Sequence, residues 1–203
     1  MKLILLSSKD EMKVLIELWP EAKATETGFE YQGFQFVVVG SEPNRVTFDL
    51  ITLFRGYSTK PSLVVFAGTC GAIDDRLSIM DLVRVGSVSS YDLESGELGE
   101  VKNFTNTALK DIDEVGAVCI QGSIPPGKKR NLLIEGTSAS IYTSESVAFY
   151  NVVKMNQKGP FRLFRKRQKL YEFFDIRVVT HKDDTKSKID HKDNYQELSL
   201  IHI

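Results

Sequence analysis

The sequence contains few cysteines and no long apolar run. Its two cysteines, Cys70 and Cys119, are too few for a disulfide framework and lack the spacing of zinc ligands. Both lie in apolar, strand-like surroundings, so we expect buried free thiols in a reducing compartment, which indicates the cytoplasm. No stretch approaches the ~18 apolar residues of a membrane-spanning helix, and Leu3–Leu6 is too short for the core of a signal peptide.

The sequence also lacks an excess of charge. Lys and Arg number 26 against 27 Asp and Glu, which gives a formal net charge of −1. No global field therefore attracts nucleic acid or an anionic membrane, and we expect neither as a partner. The one basic segment, Lys158–Lys169, interleaves cations with Phe161, Leu163 and Phe164. Such a segment fits either a single-strand nucleic-acid contact or an amphipathic helix with a solvated basic face.

Histidines are scarce too, and they do not form a metal site. His181 and His191 lack the spacing of metal ligands, and we expect both on the surface. The sequence therefore predicts no metal ion and no cofactor.

Apolar periodicity predicts alternating strands and helices. Lys2–Ser7 reads as a buried strand, and apolar residues at helical spacing follow from Met12 to Trp19. A hairpin around Tyr31–Gly33 and an apolar helical face from Val46 to Tyr57 come next. The strand, helix, strand order implies a right-handed crossover. We expect one α/β domain over residues 1–203, a three-layer sandwich with a central, mostly parallel (mixed) sheet.

The most informative stretch is Ser62–Val83. Leu63–Ala67 is a short apolar run of the kind that forms a buried parallel strand, and Gly68-Thr69-Cys70-Gly71-Ala72 follows it. These small residues predict a sharp turn off the strand, where a ligand can approach the backbone amides. Taken alone, the two glycines fit an ordinary strand-to-loop turn better than a ligand site.

The whole stretch, SLVVFAGTCGAIDDRLSIMDLV, resembles the superfamily of purine nucleoside phosphorylases, uridine phosphorylases and nucleosidases. The pattern is closest to the methylthioadenosine/S-adenosylhomocysteine-type nucleosidases. Members carry a G-[ST]-[ACT]-G-[AG] turn and then Gly-Asp with two hydrophobic residues, and here Met80 replaces that later glycine. The resemblance implies the superfamily's fold and a nucleoside pocket lined by Gly68, Thr69, Cys70 and Gly71. It also implies a homodimer or higher homo-oligomer.

The resemblance assigns roles to two glutamates. Glu11, in the first turn of the first helix, would activate the attacking water, although an acid there also stabilises a helix N-terminus by ~0.3–1 kcal/mol. Glu145, at the start of a helix through Val153, would hold the ribose hydroxyls, because a carboxylate offers two acceptors to vicinal donors. Glu145 fits an ordinary first-turn acid equally well.

The resemblance also suggests residues that meet the base. A strand predicted at Leu132–Ile134 leads towards Ile141 and Tyr142, one of which would contact the base. A last strand predicted at Asp175–Thr180 leads to Asp184, which would protonate the leaving base, with Asp183 where serine is usual. A polar turn is the alternative interpretation of Asp183 and Asp184.

Together these residues predict cleavage of the N-glycosidic bond of a purine-type nucleoside, in nucleoside metabolism and purine salvage. The chemistry needs an acid on the base, acceptors on the sugar and a nucleophile. Phosphorylases of the superfamily bind phosphate through arginines, whereas this chain has Phe66 at one such position and no arginine before Arg45. Water is therefore the expected second substrate. The alternative is a nucleoside-binding or regulatory protein that has lost activity.

Overall fold

The computed structural model describes residues 1–57, 61–92, 94–104, 109, 111–120, 133, 135–158 and 172–182. The chain divides into two compact units. The first comprises Met1–Ala67 and Ala148–Phe174, and the second comprises Gly68–Val147 and Asp175–Ile203. No helix in the described ranges is long and apolar enough to cross a membrane. A single domain over residues 1–203 stays a prediction.

The first unit is an α/β arrangement with a central parallel strand. Strand β1 pairs in parallel with both β4 and β5, as the sequence predicts. Strands β3 and β4 form the predicted hairpin, with positive φ at Gln32 and Gly33. The elements are β1 (Lys2–Leu6), α1 (Lys9–Leu18), β2 (Lys23–Ala24), β3 (Gly28–Tyr31), β4 (Phe34–Val38), α2 (Pro43–Gly56) and the first part of β5 (Leu63–Ala72).

Apolar side chains from strands and helices form the core of this unit. Leu3 and Leu5 of β1 are fully buried, and α1 packs against β1 and β4 through its buried Leu15. Helix α3 (Ser146–Lys158) contributes Phe149, whose ring lies 5.1 Å from that of Phe66 on β5. Helices thus cover the strands, which is the packing that an α/β fold requires.

The second unit contains a mixed sheet. Its strands are the end of β5, β6 (Leu82–Ser90), β7 (Lys102–Asn103), β8 (Asp113–Cys119), β9 (Ala139–Thr143) and most of β10 (Glu172–Lys182). The order is β10, β6, β8, β9, β5. The pairs β6–β8 and β8–β9 are parallel, whereas β9–β5 and β10–β6 are antiparallel. The predicted α/β class with a mixed sheet is confirmed.

The predicted sharp turn at Gly68–Ala72 is wrong, because β5 continues to Ala72. Its last residues pair with β9, with Gly71 opposite Tyr142. A Cβ at position 71 would lie 2.2 Å from Cε1 of Tyr142, so the glycine makes room for that ring. Glycine is needed here for close approach of a side chain within an extended strand.

The predicted strand at Leu132–Ile134 is also wrong at Leu133, which is helical, as are Glu135–Thr137. The Thr137 hydroxyl donates to the Leu133 carbonyl oxygen at 2.5 Å, a contact between residues four apart that is typical of a helical turn. Leu133 is fully buried beside Val118 and Ile120. Leu133 is therefore the buried apolar residue of a helical turn. The strand in this region is β9.

Met80 has φ +76°, a left-handed conformation that favours glycine. The superfamily that this sequence resembles has glycine at this position, and a side chain there costs about 1–2 kcal/mol. Met80→Gly relieves this strain, but it also removes side-chain packing and makes the unfolded chain more flexible. We therefore expect a net rise of about 0.5–1 kcal/mol in the free energy of unfolding. Urea denaturation measures this change.

The matched control is Met12→Gly in α1, where glycine should lower stability by about 1 kcal/mol. Destabilisation of similar size by both substitutions would contradict the strain assigned to Met80.

Candidate functional site

Glu11 caps the helix that follows β1. Ser8 is the N-cap residue of α1, and its hydroxyl accepts from the Glu11 amide at 3.1 Å. The Glu11 carboxylate accepts in turn from the amides of Ser7 and Ser8 at 2.8 and 3.0 Å, and from the Ser7 hydroxyl at 2.9 Å. This capping box fixes the carboxylate beside the end of β1. Glu11 thus has the predicted place in the first turn, and its water-activating role stays a prediction.

A polar cavity of about 540 Å³ lies beside this loop in the first unit. Two cations and two carboxylates line it, and Arg45 Nε lies 2.7 Å from Asp49 Oδ2. The cavity walls therefore carry balanced charge. The lining residues are Ser7, Ser8, Lys9, Met12, Thr25, Glu26, Thr27, Gly28, Val38, Gly40, Ser41, Arg45 and Asp49.

The other described candidates belong to the second unit, where β5 and β9 bring Cys70, Gly71, Ile141 and Tyr142 together. Cys70 is 4% exposed and Ile141 is fully buried, whereas Gly68, Thr69 and Tyr142 are half-buried. Of the two residues proposed to contact the base, Tyr142 is the one with exposed surface. Burial raises the pKa of the Cys70 thiol, so this thiol stays protonated and unreactive.

A hydrogen-bonded chain runs from Tyr142 to the backbone of Cys70. The Tyr142 hydroxyl lies 2.6 Å from His181 Nε2, and His181 Nδ1 lies 2.9 Å from the Thr180 hydroxyl. That hydroxyl donates to the Cys70 carbonyl oxygen at 3.2 Å. The sequence reasoning placed His181 on the surface, but it is half-buried and bonded on both ring nitrogens. The strand predicted at Asp175–Thr180, which His181 directly follows, is the feature of the sequence that could have indicated this, because β10 continues to Lys182.

Glu145 belongs to a buried ionic cluster. The Arg177 guanidinium, fully buried, donates from Nη1 to Glu145 Oε1 and from Nε to Asp175 Oδ1, the latter at 2.5 Å. Arg177 Nη2 also donates to the Ser146 hydroxyl at 3.2 Å. Burial alone would lower the pKa of Arg177, but the two carboxylates raise it above its usual value. Burial raises the pKa of Asp175, and Arg177 offsets part of that effect.

This cluster occupies much of the acceptor capacity of Glu145. Oε1 accepts from Arg177, and Oε2 accepts from both the amide and the hydroxyl of Ser144. A carboxylate offers about four lone-pair positions, so one remains beside these three bonds. Glu145 therefore could hold two ribose hydroxyls together only by giving up a bond within the cluster. Its predicted role in sugar binding stays a prediction.

Asp184, the predicted acid, lies outside the described residues, as do Asp183 and His191. Of the basic segment 158–169, only Lys158 at the end of α3 is described. Across the described ranges, no group of three His, Cys, Asp or Glu side chains is placed to hold a metal ion.

No protein-family model matches the sequence, and no curated protein matches it. Similarity to known proteins therefore rests on the fold.

Solved structures of 5′-methylthioadenosine/S-adenosylhomocysteine nucleosidases share this fold. The enzyme from Campylobacter jejuni superposes with a TM-score of 0.75 at 16% identity, covering 98% of this chain and 93% of that one. The Helicobacter pylori enzyme with butyl-thio-DADMe-Immucillin-A gives 0.72 at 14% identity, with coverage of 98% and 93%. The Arabidopsis thaliana 5′-methylthioadenosine nucleosidase gives 0.73 at 14% identity, with coverage of 97% and 88%. The predicted nucleosidase fold is confirmed.

The buried cluster predicts a large cost for removing its cation. Arg177→Met leaves Glu145 and Asp175 buried without a counter-charge, which should lower the free energy of unfolding by about 3–5 kcal/mol. Chemical denaturation measures the loss. The control is Lys13→Met, which removes an exposed partner of Asp10 and should cost less than about 1 kcal/mol. Equal, small losses for both variants would show that the buried carboxylates do not depend on Arg177.

Proposed function

We propose that this protein hydrolyses the N-glycosidic bond of a purine-type nucleoside. The observation that carries the proposal is the fold, shared over 97–98% of the chain with three nucleosidase structures. One of these holds a compound named as an Immucillin, and a related Helicobacter pylori structure holds 5′-methylthioadenosine in its active site. A 6-aminopurine nucleoside of this kind is the first substrate to test.

The proposed mechanism gives each candidate residue one role. Glu11 takes a proton from the attacking water, and its bonds to the Ser7 and Ser8 amides hold the carboxylate in position. Asp184 protonates the departing base. Gly68–Gly71 and Tyr142 line the nucleoside pocket, and Glu145 holds the sugar hydroxyls after giving up one bond within its cluster. General acid and general base catalysis each contribute typically 10²–10⁴-fold.

Water is favoured over phosphate as the second substrate. The cavity beside Glu11's loop has two cations, Lys9 and Arg45, but Glu26 and Asp49 balance them. Arg45 Nε already donates to Asp49 at 2.7 Å, so the guanidinium would have to share its donors between Asp49 and phosphate. A phosphate dianion would meet as much negative as positive charge there, whereas neutral water is not penalised.

One observation favours a second candidate, a nucleoside-binding or regulatory protein without activity. Glu145 is 4% exposed, and Arg177 and Ser144 take most of its acceptor positions. If those bonds persist when a nucleoside binds, the sugar lacks the two-acceptor contact that stabilises the oxocarbenium-like transition state. Such a protein would bind a nucleoside and release no base.

The proposal extends to purine salvage, to a cytoplasmic location and to a homodimer or larger homo-oligomer. Both cysteines of the chain are free and buried, which supports a reducing compartment. The oligomer is inferred from the resemblance alone.

Phosphate dependence distinguishes hydrolysis from phosphorolysis. With 5′-methylthioadenosine or adenosine as substrate, we expect base release at the same rate with and without added phosphate, and a free sugar as product. Chromatography of the sugar identifies it. A sugar 1-phosphate that rises with phosphate concentration would contradict the hydrolytic mechanism, and tight binding without base release would favour the second candidate.

The acid is tested by matched substitutions at adjacent positions. Asp184→Asn should lower kcat by about 10²–10⁴-fold and change KM little, because it removes a proton donated in the transition state. Asp183→Asn should have the smaller effect. Steady-state assays with a nucleoside that has a poor leaving group measure both. The reverse ranking would move the acid to Asp183.

A further inference from the structure

We propose that His181 is a positioning residue that fixes Tyr142 where the nucleoside base binds, an inference that rests on the proposed function. The observation behind it is the pair of hydrogen bonds made by the His181 ring, one to Tyr142 and one to Thr180. All three residues lie in the second unit.

The proposed arrangement of hydrogen bonds assigns the ring proton to one nitrogen of His181. The Thr180 hydroxyl has one hydrogen, which it donates to the Cys70 carbonyl oxygen. In this arrangement its oxygen accepts at the contact with His181 Nδ1, and a neutral imidazole then carries its hydrogen on Nδ1. Nε2 then has a lone pair, and the Tyr142 hydroxyl donates to it at 2.6 Å. Thr180, fully buried, thus sets the tautomer that lets His181 hold the tyrosine.

Two neighbours, Gly71 and His181, restrain the Tyr142 side chain. Its backbone is paired with Gly71, and its ring lies over that glycine, within 2.7 Å of where a Cβ would be. The His181 ring meets it edge-on, with centroids 5.4 Å apart and an interplanar angle of 84°. His181 fixes the hydroxyl end. A ring already held in one orientation loses little conformational entropy when a ligand binds, which favours affinity.

The position of this pair argues for a role in binding beyond packing. Ile141, the neighbour of Tyr142, is fully buried in the core, whereas Tyr142 and His181 both retain exposed surface. A tyrosine that is aligned by a second side chain and still reaches solvent is suited to meet a flat aromatic ligand. His181 acts through Tyr142 and needs no contact with the base itself.

Two substitutions at His181 separate positioning from folding. His181→Phe keeps a ring of similar size and removes the acceptor, whereas His181→Gln can place Oε1 near the position of Nε2 and accept from Tyr142. Loss of one such hydrogen bond corresponds to about a 5–10-fold effect. We therefore expect His181→Phe and Tyr142→Phe each to raise KM for 5′-methylthioadenosine by about 5–10-fold and to change kcat by less than about twofold.

The conservative and double variants sharpen the test. His181→Gln should restore KM to within about twofold of the wild type, and the Tyr142→Phe/His181→Phe double variant should be no worse than either single variant. Tyr31→Phe, in the first unit, is the control for loss of a tyrosine hydroxyl and should leave KM unchanged. Nitrogen-15 spectra of the wild type should show His181 protonated at Nδ1.

Each alternative result has a distinct meaning. A purely structural role would lower the melting temperature and the active fraction, and with it the apparent kcat, while KM stays unchanged; that result overturns the inference. So would equal effects of His181→Phe and His181→Gln, or a proton on Nε2. If wild-type protein neither binds nor cleaves the nucleoside, the proposed function fails and the inference fails with it. If wild-type protein is active and His181→Phe matches it, the inference alone fails.

Discussion

The second unit depends on keeping the Arg177 charge compensated. Arg177 is fully buried, and an uncompensated guanidinium in such a place costs several kcal/mol. Two carboxylates and a hydroxyl, from Asp175, Glu145 and Ser146, take its donors. These contacts join β10 to the start of α3, so the segment around Glu145 has its conformation set by charge compensation. The backbone at Glu145 is therefore held by a structural ion cluster.

Both glutamates to which the resemblance gives chemical roles already have structural partners. Glu11 closes a capping box with Ser7 and Ser8, and Glu145 is bonded by Arg177 and Ser144. Structural bonds do not preclude chemistry, because a fixed carboxylate costs less to orient than a mobile one. They do limit it, because the Glu11 carboxylate accepts from two amides and a hydroxyl, and Glu145 accepts from a guanidinium, an amide and a hydroxyl. The chemical roles of both glutamates stay predictions.

Local patterns predicted most of the elements, because each depends on neighbours in the sequence. The strand predicted at Lys2–Ser7 and the helix predicted from Met12 to Trp19 followed from apolar periodicity, and the structure has them as Lys2–Leu6 and Lys9–Leu18. Two of the three errors, at Gly68–Ala72 and at His181, involve contacts distant in sequence. Nothing near Gly71 indicates that the Tyr142 ring will lie on it, and nothing near His181 indicates that Tyr142 and Thr180 will bond it. Arg177 lies two residues after one of its buried partners, Asp175, but nothing near it in the sequence indicates the other, Glu145. The candidate site was thus less predictable than the fold.

Met80 shows why a fold can persist at 14–16% identity while a function need not. A methionine stands where the resembling superfamily has glycine, yet the backbone keeps φ +76°. Hydrogen bonds on both sides hold it there, from the Met80 amide to the Val179 carbonyl oxygen at 2.8 Å and from the Val179 amide to the Asp81 carbonyl oxygen at 3.0 Å. A strain of about 1–2 kcal/mol is tolerated because the surrounding pairing over-determines the conformation. No such redundancy protects a catalytic carboxylate, since a single substitution removes its chemistry. Backbone geometry therefore survives sequence change that side-chain chemistry does not, and the activity of this chain has to be established at its own residues.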